Sequence, residues 1–366
     1  MTIKTKRTRI KPVPFIILSS ILLSLILGLR LPTIFETNKI SDLGYDDETT
    51  KIIKTLPIKD TIIKDKLYTE TLNDAFKLKD YDQKYLEIYK FKVNITNDEK
   101  LIFQRLLNKG YKVNDIAKLI LELEFYEITP LLVFDYQEDL NVYIDDVKSN
   151  SALNSNYSFT LNNKYIEFYS NIKNISNPKD INANVSKVYS LPSDYVPSDL
   201  VQLPIKYAYD GVTMVKVAAD AFMKLCDDAS ELGHSIFANN AYRSYDYQLD
   251  LFNSYVNVDG EEKALTYVAK PGSSEHQTGL AVDVDSIGSD GVFENFGQTE
   301  AYVWLKENAH KYGFIQRFSN NKSQITGYIQ EEWHWRYLGV DLATKVFNSN
   351  LTYDEYYELY LKQLPQ

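Results

Sequence analysis

The chain has 366 residues, a formal net charge of -10 and a single cysteine, Cys226. That length allows two compact units with linkers. The acidic balance argues against a nucleic-acid partner, which needs a basic face, and one cysteine excludes both an intrachain disulfide and a cysteine-rich zinc cluster. Hydrophobic residues at 44% and charged residues at 25% are ordinary for a globular protein. The 29 tyrosines read as coding bias.

Lys4, Lys6, Arg7, Arg9 and Lys11 precede an uncharged, mostly apolar run from Pro12 to Leu29. The run is near the lower length limit for a membrane span. Leu29-Arg30-Leu31-Pro32 offers no small-x-small cleavage site, and no lipobox cysteine is present. The expectation is a cytoplasmic basic tail at 1–11, an uncleaved single-pass signal anchor at 12–35, and an extracytoplasmic remainder. Residues 36–69, polar and of mixed charge, read as a linker. Over 70–135 the periodicity is helical. Leu101, Ile102, Leu106 and Leu107 precede a break at Gly110, and Ile116, Leu119, Ile120 and Leu123 follow it, which predicts a helical hairpin of unassigned role. Residues 136–189, rich in Asn, Ser, Tyr and Asp, predict irregular strands and loops.

From about residue 190 the texture changes. A helix is predicted with Ala218, Ala219, Phe222, Leu225, Cys226 and Ala229 on its apolar side and Gly233 as its stop. Cys226 reads as a small core residue. A strand over Ser235–Tyr242, a helix around Tyr245–Tyr255, a strand over Ala281–Asp285 and a helix over Glu300–Tyr312 come next. Strands over Phe314–Phe318 and Trp333–Tyr337 follow, then a helix starting at Thr352, where Thr352 and Glu355 have capping-box spacing. Strands and helices mix without βαβ regularity, so the class is α+β.

Two of the four histidines sit in dense polar settings. In Ser274-Glu275-His276-Gln277-Thr278-Gly279-Leu280-Ala281-Val282-Asp283-Val284-Asp285, strand alternation puts Asp283 and Asp285 on one face. Gly279 lets the loop fold His276 back toward Asp283, and Asp285 is placed to orient a ligand. In Glu331-Glu332-Trp333-His334-Trp335-Arg336-Tyr337, the aromatics face one way and His334 and Arg336 the other. A borderline cation such as zinc accepts imidazole and carboxylate together, and two histidines with one carboxylate leave a fourth position open. Glu331 lies where a general base would be needed. Arg243, at a strand-to-helix junction in Tyr242-Arg243-Ser244-Tyr245-Asp246-Tyr247-Gln248, is placed to stabilise an oxyanion or bind a carboxylate. Taken singly, each segment also fits a purely structural reading. His234 and His310, at a helix end and inside a helix, read as structural.

Together the three segments resemble the VanY-type D-alanyl-D-alanine carboxypeptidases, in a peptidase family that also contains D,D-dipeptidases and L,D-carboxypeptidases of cell-wall metabolism. The residues carrying the resemblance are Ser274, His276, Gly279, Ala281 and Asp283, then Glu331 and His334, with Tyr242, Arg243, Ser244 and Gln248 upstream and the YGFIQRF stretch between. It covers about residues 190–345. The resemblance implies a small central antiparallel sheet flanked by helices over 190–366. It implies zinc held by His276, Asp283 and His334, Glu331 as catalytic base, and Arg243 stabilising the tetrahedral intermediate. It also implies substrate contacts from Ser274, Gln248 and Ser244. The implied substrate is the peptidoglycan stem peptide, with removal of its terminal D-alanine; an L,D-carboxypeptidase, an endopeptidase and a wall-binding scaffold with a relict site are the alternatives. Glu332 stands where many relatives carry proline, and Ser319 follows Arg317-Phe318 where they carry proline.

Overall fold

The computed structural model describes residues 37–363, apart from 38, 137, 152–167 and 287–292. The expected basic tail and anchor at 1–35 lie outside the described residues. Among the described residues no helix is long and apolar enough to cross a membrane. The chain divides into two compact units, Met1–Thr96 and Asn97–Gln366.

The described part of the first unit corrects the reading of 36–69 as a linker. Helices Asp47–Ile53 and Lys59–Lys64 form there, followed by Glu70–Ala75 and Leu86–Tyr89. Asp46 accepts from the Thr49 N–H and Thr69 from the Leu72 N–H, each satisfying an orphan donor at a helix start. Charged residues are interspersed throughout, so the segment looks polar in sequence, yet Ile40, Tyr45, Ile53 and Ile62 are all buried. Tyr45, Phe76, Tyr81 and Tyr89 pack ring on ring, with centroids 5.8, 4.9 and 5.4 Å apart. Aromatic rings thus add core volume to that of the buried Ile and Leu side chains.

The second unit begins with the expected hairpin, helices Asn97–Asn108 and Val113–Glu122 joined through Gly110 at φ +98°. The region expected as one piece over 70–135 is therefore divided at Thr96. The reason is packing. Arg105 donates to the carbonyls of Leu359 and Lys362, and Thr129 Oγ1 donates to the Glu355 carboxylate at 2.7 Å. The hairpin and the segment after it are thereby tied to the C-terminal helix. Residues 136–189, expected as strands and loops, contain a helix, Leu140–Ser151. They also supply strands β1 (Lys173–Asn174) and β2 (Tyr189–Ser190), which pair in parallel.

Strands β3 (Leu200–Gln202) and β4 (Thr213–Val215) pair antiparallel and lead into helix Lys216–Glu231, which Gly233 stops at φ +89°. The central sheet holds β5 (Phe237–Asn240), β6 (Ala281–Asp285), β7 (Phe314–Phe318) and β8 (Glu331–Tyr337) in the order β5-β6-β8-β7, antiparallel throughout. Val282, Val284, Trp335 and Tyr337 point into the core with Phe222, Leu225, Cys226 and Phe314. Alternation then gives Asp283, His334 and Arg336 the opposite face. The fold is α+β. The capping box at Thr352 and Glu355 forms and starts helix Tyr353–Tyr356, which continues as a π-helical turn over Tyr357–Leu361.

Candidate metal centre

Strands β6 and β8 pair with Asp283 directly opposite His334. His276 enters from a 3₁₀ turn, Glu275–Thr278, which ends at Gly279 in the left-handed region, φ +67°. A Cβ at Gly279 would sit 2.9 Å from Val215 Cγ2 and 3.0 Å from Leu200 Cδ2. Only glycine combines that φ with that close approach, and the resulting turn aims His276 at β6. Asp283 Oδ1 lies 3.3 Å from His276 Nε2 and 3.1 Å from His334 Nδ1.

The other ring nitrogens fix which atoms face the centre. His276 Nδ1 is 2.6 Å from the Ala241 carbonyl oxygen, which only accepts, so Nδ1 carries the proton and Nε2 keeps its lone pair. His334 Nε2 is 3.1 Å from Glu275 Oε2, so Nε2 donates there and Nδ1 is left for the centre. Nε2, Nδ1 and the carboxylate oxygen lie within 4.8 Å of one another, and all three residues are buried. Two imidazole nitrogens and one carboxylate oxygen fit a borderline divalent cation with one position left open.

The charges agree with that fit. Burial and the Arg243 charge push His276 down to about 4, so it is neutral as a ligand must be. Burial opposes ionisation of Asp283, but the Arg243 charge and the hydrogen bond from His334 outweigh it and hold the carboxyl well below its ordinary range. For His334 burial acts downward, while hydrogen bonds to Asp283 and Glu275 prevail and raise it to about 9. In the metal-free protein a proton thus sits between two carboxylates, and a bound cation would displace it.

Glu331 opens β8 with Oε2 4.0 Å from His334 Nδ1. Residues three apart on a regular strand face opposite ways. Here Phe318 pairs with Glu331 and Gln316 with Trp335, four residues of β8 against two of β7, and this bulge brings Glu331 and His334 to one cleft. Burial pushes the Glu331 carboxyl up from 4.5 to about 8. The folded metal-free chain therefore keeps a proton that the unfolded chain has lost, and stability falls as pH rises from 4.5 toward 8. Glu331→Gln carries no such proton. Thermal unfolding of metal-free wild type and variant at pH 5 and pH 8 should show the variant gaining on wild type at the higher pH.

The D-alanyl-D-alanine carboxypeptidase (VanY) family model matches residues 211–340. The YodJ protein of Bacillus subtilis (strain 168), named as a carboxypeptidase by assignment, is 41% identical over 223 residues, 58% of this chain and 80% of YodJ. The chain belongs to the VanY-type carboxypeptidase family. The bifunctional D-Ala-D-Ala dipeptidase and D-Ala-D-Ala carboxypeptidase VanXYC of Enterococcus gallinarum is 30% identical over 182 residues, 49% of this chain and 94% of that protein. Among solved structures, the LdcB LD-carboxypeptidase is 42% identical with a TM-score of 0.49, over 51% of this chain and 90% of that one.

A cleft of about 440 Å³ opens over the VanY-type site and is lined by Arg243, Gln248, Ser274, Tyr267, Glu331 and Trp333 among others. Arg243 Nη2 donates to Asp283 Oδ2 at 2.6 Å, and its Nε is buried without a hydrogen-bond partner among the described residues. Gln248 Nε2 donates to the Ala269 carbonyl, leaving Oε1 buried and likewise without a partner. Both residues line the cleft, and each keeps one buried polar atom unpaired among the described residues. Ser274 lines the same wall. Ser244, expected as a substrate contact, forms a helix cap. Its Oγ accepts from the Tyr247 N–H and caps helix Tyr245–Asp259, and it does not line the cleft. Asp285, expected to orient a ligand, accepts from the Ser286 N–H. Glu332 lies over Gly297, away from the cleft, so it adds no second carboxylate beside Glu331. His234 rests against Trp304 and His310 stacks on Phe347, both away from the centre.

Sequence reasoning passed over Glu275. It is buried, with Oε1 taking Arg317 Nε and Arg336 Nη1, each at 2.9 Å, and Oε2 taking His334. The signal was two arginines inside predicted strands, which need a buried anion when no water can reach them.

Proposed function

We propose that this chain is a zinc-dependent D-alanyl-D-alanine carboxypeptidase that removes the terminal D-alanine from peptidoglycan stem peptides. The observation that carries the reading is the convergence of His276, Asp283 and His334 within 4.8 Å, beside a buried carboxylate at Glu331. Zinc bound there supplies Lewis acidity toward the scissile carbonyl and lowers the pKa of water at the centre. Glu331 accepts the proton of the attacking water and returns it to the leaving amine as the C–N bond breaks. Free D-alanine and a shortened peptide carboxylate result. Arg243, in the cleft wall, offers its guanidinium to the developing oxyanion. Gln248 and Ser274, in the cleft wall, border the substrate's polar backbone.

The N-terminal run after Lys4–Lys11 supports placement of this site outside the membrane, on a single-pass anchor. Protease treatment of intact cells should then remove the body of the chain and spare the tail.

The function is tested by incubating the full chain with pentapeptide and tetrapeptide muropeptides, with and without chelator, and reading products by mass spectrometry. The expected result is loss of one alanine from the pentapeptide, abolished by chelator and restored by zinc. Cleavage of the tetrapeptide alone would reassign the enzyme as an L,D-carboxypeptidase, and cleavage within cross-links as an endopeptidase. No cleavage with no bound metal would leave a wall-binding scaffold.

A further inference from the structure

Behind the metal centre, a line of buried ionic contacts leaves the family-matched segment. Glu275 takes His334 Nε2 on one oxygen and two guanidinium groups on the other. Arg317 completes its fork on Asp354, with Nη1 to Oδ2 at 2.7 Å and Nη2 to Oδ1 at 2.9 Å. Asp354 lies on the C-terminal helix, beyond residues 211–340. Its neighbour Glu355 receives Thr129 Oγ1, and Arg105 holds the carbonyls of Leu359 and Lys362 farther along. Glu275, Arg317, Arg336 and Asp354 are each at most 3% exposed.

The line ends on a ring whose orientation shape alone leaves undecided. Phe318 packs on the face of His334, with centroids 5.1 Å apart. An imidazole turned half a revolution about Cβ–Cγ has nearly the same outline, but presents Cδ2 where Nδ1 had been. The hydrogen bond from Nε2 to Glu275 selects the orientation that aims Nδ1 at the centre. Glu275 must keep its position and its acceptor character to do this, and the bidentate Arg317–Asp354 pair limits where Arg317 can hold it.

We propose that Glu275 and Asp354 are positioning residues of the metal centre, Glu275 orienting His334 directly and Asp354 acting through Arg317. The proposal rests on the metal reading above. The C-terminal helix, and the hairpin helices braced against it, are then part of the metal site's support.

The test uses the full chain, with Zn2+ affinity from chelator competition and the visible spectrum of the Co2+ form. Glu275→Gln has one oxygen to serve both His334 and the arginines, and its amide N–H facing Nε2 would favour the tautomer that protonates Nδ1. Glu275→Gln and Asp354→Asn should each weaken Zn2+ binding by about 10–100-fold and change the Co2+ spectrum. Asp354→Glu, which keeps the charge, should recover most of the affinity. Tyr189→Phe is the control. It deletes a buried hydrogen bond to Glu358 on the same C-terminal segment and should lower Tm while leaving metal affinity unchanged.

Folded variants with wild-type affinity and spectrum would overturn the proposal, as would Tyr189→Phe weakening metal as much as Asp354→Asn. Should Asp354→Asn fail to fold, Glu275→Gln and Asp354→Glu decide by the same readouts. Wild type binding neither ion would overturn the metal reading and this inference together, whereas wild type binding with variants unchanged would overturn this inference alone.

Discussion

Glu331→Gln should lower kcat on pentapeptide by about 10²–10⁴, the range for loss of a positioned general base, while Zn2+ content stays at the wild-type level. The substitution keeps size and shape, so the bulge that carries residue 331 into the cleft should persist. Glu331 is not among the three residues whose ligand atoms converge, His276, Asp283 and His334, so the ligand set is left whole. Steady-state kinetics paired with metal analysis separates the outcomes. Wild-type turnover would remove Glu331 from the reaction. Loss of zinc together with turnover would make it a ligand instead of a base. The neighbouring Glu332 supplies the control, because its side chain lies over Gly297 and Glu332→Gln should leave kcat unchanged.

The parts of the site legible in sequence were those written in local geometry. Period-2 alternation put Val282 and Val284 opposite Asp283, and Trp335 and Tyr337 opposite His334, and the structure has them so. The cap at Thr352 and Glu355 needed only its three-residue spacing. Long-range pairing was not legible. Asp283 and His334 are 51 residues apart, and nothing in either segment dictates that they meet across a strand pair. Glu275 stood in plain view beside His276, but its role depends on Arg317, Arg336 and Asp354 converging from three other elements. Ser244 shows the ambiguity of a hydroxyl at a helix start, which fits a ligand contact and a cap equally well, and here it caps. The first unit's helices Asp47–Ile53, Lys59–Lys64, Glu70–Ala75 and Leu86–Tyr89 are too short to show a helical period, so the burial of Ile53, Ile62 and Leu72 was not legible from spacing.

Arg243→Ala should reduce kcat by about 10²–10³, the cost of removing one oxyanion donor, with a smaller change in KM and zinc retained. The split between these constants is informative because Arg243 is placed for either of two tasks. Its Nη2 is spent on Asp283 Oδ2, while the residue itself lines the cleft. A donor that engages only the oxyanion stabilises the transition state alone and acts on kcat. A donor that engages the substrate's terminal carboxylate acts before the reaction, and its loss raises KM while kcat holds. A rise in KM at constant kcat would therefore move Arg243 from oxyanion stabilisation to substrate anchoring. Arg243→Lys sharpens the comparison. A single ammonium can meet Asp283 or the substrate, whereas the guanidinium fork reaches both from one rigid plane. The lysine variant should keep zinc, through its charge beside Asp283, and recover little of the lost kcat.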